Sequence, residues 1–406
     1  MMTAPLTVCY FGTYRADYSR NRIMIEGLRS AGVRVVECHA PLWRGIEDRV
    51  QTASGGWARP GFVARILRAY WDLLRRHRTV GDYDVMVLGY PGQADALLAR
   101  GLSRLRRKPL AMDVFMSIYL IAKERGLVDR HPVTGRLLRF VERHALALPD
   151  LLIQDTEEYV AWLRQTYGVA AERFALVPTG ADTRVFKPIA PDGQPRDDFR
   201  VLYYGTFIPN HGVDWIVEAA RLLGHESRLR FELLGDGPEK SRAVEFVRRH
   251  QLSNVTFEAW VDKGELPKRI ARADVCLGAF GTTPQSMMTI QNKIYECMAM
   301  RRPVLSGESP TMRRTFVHGE QVYLCKRADG QALADAIMDL RRQPELRDRI
   351  AAGGHAYVQQ HATVERIGEL FKRHLTELVE RHTARSRNRP EPLAELPRRG
   401  CNRALH

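Results

Sequence analysis

The chain has 406 residues, of which 45% are apolar and 27% charged, a composition typical of a globular protein and a length that predicts two domains. No apolar run approaches the ~18 residues of a membrane-spanning helix, and without a basic-then-apolar start we expect no signal peptide. Six scattered cysteines, without CxxC pairs or histidines at zinc spacing, predict reduced core cysteines and a cytoplasmic protein. The net charge of +15 predicts an anionic partner, which leaves nucleic acid, an anionic membrane surface and a phosphorylated substrate open.

Short apolar runs alternate with helical patterns through the first half of the chain. The run at residues 6–11 ends in Gly12-Thr13, and a helical pattern follows it as far as Gly32. Further strands are predicted at 33–36, 84–88, 110–112 and 151–154, with helices at 93–107 and 137–147. Buried strands that alternate with helices predict a parallel, doubly wound α/β sheet, so residues 1–185 form a first Rossmann-like domain.

A second α/β series follows a break in the pattern. Residues 186–198 contain three prolines and a glycine without periodicity, which predicts an interdomain linker. Residues 199–362 form the second Rossmann-like domain, with strands predicted at 200–204, 229–234, 255–257, 275–279 and 303–306. Residues 363–381 form a last helix, and we expect disorder in the basic, proline-containing tail at 382–406.

The stretch at residues 288–305 combines a helical pattern with two charged side chains. Its apolar residues recur at the spacing of a buried amphipathic helix, and Pro303 ends the pattern before a short strand. Lys293 and Glu296 share one side of the first turn because they lie three positions apart. A lysine at a helix N-terminus opposes the helix dipole unless an anion such as phosphate binds there. The alternative is an ordinary Lys–Glu surface pair.

Two Rossmann-like halves predict a ligand in the cleft between the carboxyl ends of their sheets. The loop at residues 205–212 follows a predicted strand and begins and ends with Gly205 and Gly212. Its free backbone N–H groups and His211 are suited to binding a phosphate. The alternative is a purely structural strand-to-helix turn.

Two other motifs are rejected as binding sites. Residues 235–241 superficially resemble a P-loop, but Glu239 precedes Lys240 where that motif has glycine. The Asp-Tyr-Asp sequence at residues 82–84 has the form of a metal–diphosphate motif. It precedes its strand instead of following it, so we interpret it as a solvated turn.

Polar residues also follow strands of the first domain. Asp113 ends the strand at 110–112 inside an apolar run, where burial would raise the pKa of its carboxyl unless hydrogen bonds offset it. Its position is consistent with either a capping group or a site residue. Arg15, Arg20 and Arg22 follow the Gly12 loop, and one of them is a candidate to reach the cleft.

The segment at residues 57–78 has the pattern of a basic amphipathic helix. Its apolar stripe comprises Phe62, Val63, Ile66, Leu67, Tyr70, Trp71 and Leu74. Its flanking cations are Arg65, Arg68, Arg75, Arg76 and Arg78. Such a helix either lies on an anionic membrane surface or packs on the first sheet with its arginines in water.

Several segments in order resemble the retaining GT-B glycosyltransferases of family GT4, known as glycosyl transferases group 1. They are LVPTGADTRVFKP, VLYYGTFIPNHGVDWIVEAARLL, LLGDGPEK, VTFEAWVDKGELPKRIARADVCL and NKIYECMAMRRPVLSG. The resemblance covers nearly the whole chain and is strongest in the second half. It implies a GT-B fold, an acceptor-binding first domain, a nucleotide-sugar-binding second domain and a last helix that crosses back to the first.

The resemblance also implies roles for particular residues. Glu296 matches the second glutamate of the EX7E motif, which hydrogen-bonds the donor ribose, and Lys293 would neutralise the leaving diphosphate. Asp113 matches an acceptor-side polar residue, so the implied catalytic residues are Lys293, Glu296 and Asp113. The implied donor-binding residues are Gly12, Thr13, Gly205, Thr206, Asn210, His211, Gly212, Gly235, Trp260, Val261, Asp262 and Asn292.

The sequence departs from the family pattern at three positions. Met288 stands where the first glutamate of EX7E is expected, which affects the contacts to the sugar hydroxyls. Thr206 and His211 replace the usual arginine and lysine of the donor-phosphate loop. Because the chain resembles a subgroup that combines GTFIP-x-HG with NK-x-x-E, we interpret these departures as subgroup features rather than as a loss of activity.

We therefore expect a retaining, metal-independent glycosyltransferase without a cofactor, which uses a nucleotide-diphosphate sugar as donor. The expected acceptor is a glycan, a lipid-linked glycan or a small molecule of cell-envelope polysaccharide biosynthesis. Peripheral contact with an anionic membrane through the first domain would place the protein at the inner face of the membrane. The alternatives are a GT-B sugar-nucleotide epimerase and a non-catalytic, basic nucleic-acid-binding or regulatory protein, although no nucleic-acid module is recognisable.

Overall fold

The computed structural model describes residues 5–42, 60–190, 197–262 and 264–387. The first domain contains a parallel sheet of six strands in the order β2-β1-β3-β4-β5-β6. Its elements are β1 (Thr7–Gly12), α1 (Ser19–Ser30), β2 (Arg34–His39), α2 (Pro60–Thr79), β3 (Val85–Leu88), α3 (Ala96–Leu105), β4 (Leu110–Asp113), α4 (Ile118–Glu124), α5 (Leu127–Arg130), α6 (Pro132–Ala147), β5 (Leu151–Gln154), α7 (Glu157–Tyr167) and β6 (Phe174–Leu176).

The second domain contains another parallel six-stranded sheet, in the order β12-β11-β10-β7-β8-β9. Its elements are β7 (Phe199–Tyr204), α8 (Val213–Leu222), β8 (Leu229–Leu234), α9 (Lys240–Arg249), β9 (Val255–Glu258), α10 (Leu266–Arg272), β10 (Val275–Leu277), α11 (Pro284–Met288), α12 (Asn292–Ala299), β11 (Val304–Gly307), α13 (Pro310–Thr315), β12 (Tyr323–Cys325), α14 (Gly330–Arg342) and α15 (Pro344–His361). The strand order reverses between β7 and β10, where such sheets open a crevice for a ligand. The predicted doubly wound α/β fold is confirmed.

Helices cover both faces of each sheet. On one face of the first sheet, inward residues of α2, α3, α6 and α7 such as Leu73, Ala99, Leu146 and Leu163 share one hydrophobic cluster. The second sheet is likewise covered by α8 and α14 on one face and by α12 and α15 on the other. The strands are therefore buried on both faces, which explains why they consist of short, nearly continuous apolar runs.

The last helix, α16 (Val364–Arg387), crosses back to the first domain and packs on α1. A Cβ on Gly368 would overlap the backbone carbonyl of Gly27, so the two helices can approach this closely only with glycine. Phe371 and Leu375 are buried in the core of the first domain. The helix continues six residues into the segment predicted as a tail, at 382–387, where Thr383 and Ser386 hydroxyls donate to carbonyls of the preceding turn.

The structure differs from the predicted elements in the start of one helix and in several elements that were not predicted. The helix predicted from residue 288 begins at Asn292, because Met288 ends a separate short helix, α11, which Thr283 caps and Pro284 begins. The helices α4, α5, α7, α11 and α13 and the strands β6 and β12 were not predicted. Residues 191–196 of the linker, residues 57–59 and the tail at 388–406 lie outside the described residues. None of the helices described above is long and apolar enough to cross a membrane.

Candidate active site

Lys293 lies in the first turn of α12, beneath the loop that follows β7. The side chain is 5% exposed, and within the described part of the chain its Nζ has no hydrogen-bond partner. Nζ lies 4.1 Å from the centroid of the Tyr203 ring, and a Cβ on Gly205 would come within 2.8 Å of it. Burial lowers the pKa of Lys293 from its ordinary value to about 7. A buried ammonium in this position favours an anion beside it.

The expected surface pair between Lys293 and Glu296 does not form. Glu296 is half-buried, and its Oε2 accepts a 2.7 Å hydrogen bond from the Tyr204 hydroxyl. Burial raises the pKa of Glu296, while the Tyr204 hydrogen bond and the charges of Lys293 and Arg22 oppose the rise. Tyr204 therefore holds the Glu296 carboxylate in place, and Lys293 is left for another anion.

The loop at residues 205–212 carries His211 next to Lys293. The His211 Nδ1 lies 2.7 Å from the Thr206 carbonyl oxygen, which requires the proton of the neutral ring on Nδ1. Burial lowers the pKa of His211 well below its ordinary value, and the charge of Lys293 lowers it further. The Nδ1 atom also lies 2.9 Å from the Tyr203 hydroxyl, so in the ligand-free protein this side of the ring is used within the loop, and donation from His211 to a phosphate stays a prediction.

Gly205 and Gly212 adopt positive φ angles of +146° and +64°, which explains glycine at both ends of this loop. Gly235, at the end of β8, has a φ of +130°, and a Cβ there would overlap the Gly205 carbonyl. Lys240 donates to the Gly235 carbonyl oxygen at 2.8 Å, which agrees with the rejection of a P-loop. Gly235 thus supports the 205–212 loop through the close approach of two backbones.

The other predicted donor-binding residues of the second domain follow β9, begin α12 or belong to the loop itself. Trp260 follows β9 and is 56% exposed, with Val261 half-buried beside it. The Asp262 carbonyl accepts from the backbone N–H groups that begin α10. Asn292 is half-buried at the start of α12, whereas the amide of Asn210 points away and donates to Glu124 of the first domain at 3.0 Å. The side chain of Asn210 therefore serves a contact between domains.

The polar groups predicted at the end of β1 are used within the first domain. The Thr13 N–H donates to Asp95 at 2.6 Å and its hydroxyl donates to the same carboxylate at 3.0 Å. A Cβ on Gly12 would lie 2.8 Å from that carboxylate, so glycine is needed there. The prediction that Thr13 contacts the donor with these groups is therefore not supported by their geometry.

Asp113 lies in a buried ion pair with Arg20. The Arg20 guanidinium donates to the carboxylate at 3.0 Å and also to the carbonyl oxygens of Val177 and Pro178, both at 2.8 Å. Both charged side chains are fully buried. Asp113 therefore positions Arg20, and Arg20 ties α1 to the segment that follows β6. Because the Asp113 carboxylate is fully buried, it has no exposed oxygen that could contact an acceptor.

Three side chains near the site were missed by the sequence predictions. Tyr203 and Tyr204 end β7, and their consecutive aromatic hydroxyls at a strand terminus were an available signal. Asp155 follows β5; burial raises the pKa of its carboxyl to about 7, although the nearby charge of Arg20 opposes the rise. Its position at the carboxyl end of a strand was the only signal.

Met288, at the position of the first EX7E glutamate, packs against the first domain. Its side chain is 8% exposed within the cluster that contains Leu120 and Tyr159 of that domain. Its backbone carbonyl accepts a 2.6 Å hydrogen bond from the Thr156 hydroxyl. Met288 therefore makes an apolar contact between the two domains at the position where the motif has a polar glutamate.

The fold and the cleft site define a two-domain protein of the GT-B class, and comparison with solved structures agrees. Sucrose-phosphate synthase from Thermosynechococcus elongatus superposes with a TM-score of 0.70 at 17% identity, covering 93% of this chain and all of the other. HepE from Anabaena, in complex with UDP-glucose, gives a TM-score of 0.66 at 17% identity over 92% of this chain and 99% of the other.

Sequence comparison finds similarity to glycosyltransferases. Residues 198–343 match the family model described as glycosyl transferases group 1. Alpha-D-kanosaminyltransferase from Streptomyces kanamyceticus is 26% identical, over 73% of this chain and 76% of its own length. D-inositol 3-phosphate glycosyltransferase from Acidothermus cellulolyticus is 25% identical, over 80% of this chain and 72% of its own length. The chain is a glycosyltransferase with the GT-B fold, and its residues 198–343 resemble the glycosyl transferases group 1.

Proposed function

We propose that the cleft binds a nucleotide-diphosphate sugar with its diphosphate against Lys293. The observation that carries the proposal is the buried Lys293 ammonium, whose Nζ has no hydrogen-bond partner in the part of the chain described. The N-terminus of α12 adds backbone N–H groups, because no side chain of its capping residue accepts from them. HepE, a neighbour in fold, was solved with UDP and with UDP-glucose, which supports this donor class.

The same contacts would assist the reaction. Cleavage of the bond between sugar and phosphate leaves negative charge on the departing diphosphate, and a desolvated cation stabilises this charge more than a hydrated one. Glu296 would accept from the ribose hydroxyls, since Tyr204 occupies only its Oε2. Lys293 therefore has a catalytic role in this proposal, and Glu296 a role in donor binding.

Thermal shifts with UDP, GDP, ADP and dTDP test the donor class. A ligand at ~100 times its dissociation constant stabilises a protein by about 2.7 kcal/mol, which is readily detected. We expect one diphosphate to stabilise the wild type and not Lys293→Ala. Lys268→Ala is the matched control, because that lysine is exposed and pairs with Glu265 on α10. Equal stabilisation of wild type and Lys293→Ala would contradict the proposal.

The finer statements of the reaction rest on the resemblance to retaining enzymes of family GT4. We propose that transfer retains the anomeric configuration, which proton NMR of the first-formed product tests by its anomeric coupling constant. The proposed acceptor is a glycan or lipid-linked glycan of the cell envelope. Conversion of the donor sugar to its epimer in the absence of any acceptor would favour the epimerase alternative.

We further propose that protein groups alone neutralise the diphosphate. Among residues 5–42, 60–190, 197–262 and 264–387, histidine, cysteine, aspartate and glutamate side chains form no group of three or more that could hold a metal ion. The expected result is transfer at an unchanged rate after dialysis against EDTA. Loss of activity that Mg²⁺ or Mn²⁺ restores would contradict metal independence.

Three helices of the first domain expose apolar side chains on one side of its sheet. The exposed residues, named here the outer face, are Val63, Leu67 and Trp71 on α2, Leu97 and Leu105 on α3, and Val133, Leu137 and Phe140 on α6. The inward residues of α2 pack on the sheet, as one of the two interpretations of this helix predicted, and the opposite side of the helix is exposed. Exposed arginines such as Arg68, Arg75, Arg136 and Arg143 flank the apolar residues.

We propose that the outer face contacts an anionic membrane surface, because apolar residues flanked by arginines combine the two attractions that bind such surfaces. Leu67→Asp/Trp71→Asp should lose cosedimentation with phosphatidylglycerol vesicles, while phosphatidylcholine vesicles bind neither protein. Val244→Asp, at an exposed apolar position of the second domain, is the control. Binding of duplex DNA that exceeds vesicle binding and falls steeply with salt would favour the nucleic-acid alternative.

A further inference from the structure

Glu124, at the end of α4 in the first domain, contacts two separate segments of the second domain. Its Oε2 accepts from the Asn210 amide at 3.0 Å, and its Oε1 accepts from the backbone N–H of Gln285 at 2.7 Å. Asn210 belongs to the 205–212 loop, and Gln285 lies in the first turn of α11. One carboxylate therefore joins the first domain to the loop that contacts Lys293 and to α11, the helix that precedes Lys293 in the chain.

Asn210 and α11 are also joined to each other. The Ser286 hydroxyl donates to the Asn210 carbonyl oxygen at 2.6 Å, and the Arg327 guanidinium donates to the Ser286 oxygen at 2.8 Å. Arg327 is 7% exposed and also donates to the Gly281 carbonyl at 2.7 Å. Hydrogen bonds therefore connect Glu124 of the first domain with the 205–212 loop, with α11 and, through Ser286, with Arg327 of the second domain.

The other end of α11 is fixed by the first domain as well. The Thr156 hydroxyl donates to the Met288 carbonyl oxygen at 2.6 Å, so α11 is held at both ends. Only residues 289–291 separate α11 from α12, whose first turn carries Lys293. A shift of α11 would therefore move Lys293 relative to the 205–212 loop.

We propose that Glu124 is a positioning residue through which the acceptor domain shapes the donor site. With Glu124 in contact, the 205–212 loop and α11 are held in the geometry that places Gly205, His211 and Lys293 together. Without it, the Asn210 amide and the Gln285 N–H lose a charged acceptor, and the loop gains freedom. This inference rests on the proposed function, since it concerns binding of the nucleotide donor.

Glu158 provides a matched control. It also joins the domains, accepting from Thr311 at 3.0 Å and from Arg314 at 2.8 Å, both on α13. The Thr311 hydroxyl also donates to the Met287 carbonyl of α11 at 3.1 Å, and this contact stays available when Glu158 is replaced. Replacement of Glu158 therefore weakens the contact between domains without releasing the loop. Comparing the two replacements therefore distinguishes the effect of releasing the 205–212 loop from the effect of weakening the contact between the domains.

The experiment compares Glu124→Ala, Glu124→Gln and Glu158→Ala by calorimetric titration with the diphosphate that stabilises the wild type. We expect Glu124→Ala to weaken binding by about tenfold, the effect of losing a hydrogen bond to a charged group, and Glu124→Gln to weaken it less because one acceptor oxygen remains. Glu158→Ala should bind within about twofold of wild type. Equal weakening by Glu158→Ala and Glu124→Ala would overturn the inference.

A second measurement does not depend on nucleotide binding. Hydrogen exchange of the ligand-free proteins should be faster at residues 206–212 in Glu124→Ala than in wild type, and unchanged there in Glu158→Ala. Unchanged exchange in Glu124→Ala would overturn the inference even if the wild type binds the diphosphate. Faster exchange in a protein that binds no diphosphate would instead support the inference and contradict the proposed donor. Glu124→Gln serves the same test if Glu124→Ala does not fold.

Discussion

Binding of a nucleoside diphosphate should make Lys293 take up a proton. Burial holds the pKa of Lys293 at about 7 in the ligand-free protein, well below the ordinary 10.5. A diphosphate placed beside Nζ favours the charged ammonium, so it raises this pKa again. Below pH 7 the lysine is already charged and binding needs no proton. Above pH 7 the proton must come from solvent, and affinity falls as the pH rises.

The size of the effect follows from the lowered pKa. At pH 8 a group with a pKa of about 7 is about 90% neutral, so binding takes up about 0.9 proton. Between pH 7 and pH 9 the affinity should fall by about 50-fold, or ~2.3 kcal/mol, because the charged fraction of Lys293 falls from about one half to about 1%. The same linkage makes the ligand-free fold more stable as the pH rises from 7 towards 10.5, because the unfolded chain holds the proton longer.

Isothermal titration in buffers with different ionisation enthalpies measures this proton uptake. At pH 8 the diphosphate itself is fully ionised, since its second pKa lies near ~6. Lys293→Met keeps the length of the side chain without the charge, so we expect weak binding without proton uptake. Equal proton uptake by wild type and Lys293→Met would refute the reasoning, as would an affinity that stays constant from pH 7 to pH 9.

Three further substitutions test the geometry of the fold and the site. Tyr204→Phe should weaken nucleoside diphosphate binding by about tenfold and leave pyrophosphate binding unchanged, because it releases the Glu296 carboxylate and leaves the Lys293 ammonium in place; titration with both ligands decides this. Gly235→Ala should destabilise the second domain by ~2 kcal/mol or more in urea unfolding, since its Cβ would overlap the Gly205 carbonyl at a φ of +130°. Gly319→Ala is the control for Gly235→Ala, because Gly319 also has a positive φ but open space around its Cβ. Gly368→Ala should cost ~1–3 kcal/mol in the same assay, because its Cβ would separate α16 from α1.

Local patterns were sufficient to predict most of the fold. The strand β5 has the predicted bounds because it is a run buried on both faces, and β8 has them because buried apolar residues alternate with Arg230 and Glu232 before Leu233 and Leu234. The helix α11 was missed although Thr283 and Pro284 carry a capping signal, because its five residues are too few for a periodic pattern. Short elements depend on caps and tertiary contacts more than on periodicity.

The site was predicted at Lys293 and Glu296 but not in its detail. The buried state of Lys293 results from Gly205, Tyr203 and His211, which are far away in sequence, so the local pattern alone left the surface pair open as an alternative. The contact between Arg20 and Asp113 likewise joins distant segments. No local pattern encodes which partner a buried charge meets, and this limit explains the corrections at Asp113 and Asn210.

A crystal structure of the complex with the stabilising nucleoside diphosphate tests the central claim most directly. We expect a phosphate oxygen within hydrogen-bond distance of the Lys293 Nζ and the ribose hydroxyls at the Glu296 carboxylate. A diphosphate bound elsewhere, with the Lys293 ammonium still buried and without a partner, would contradict the account.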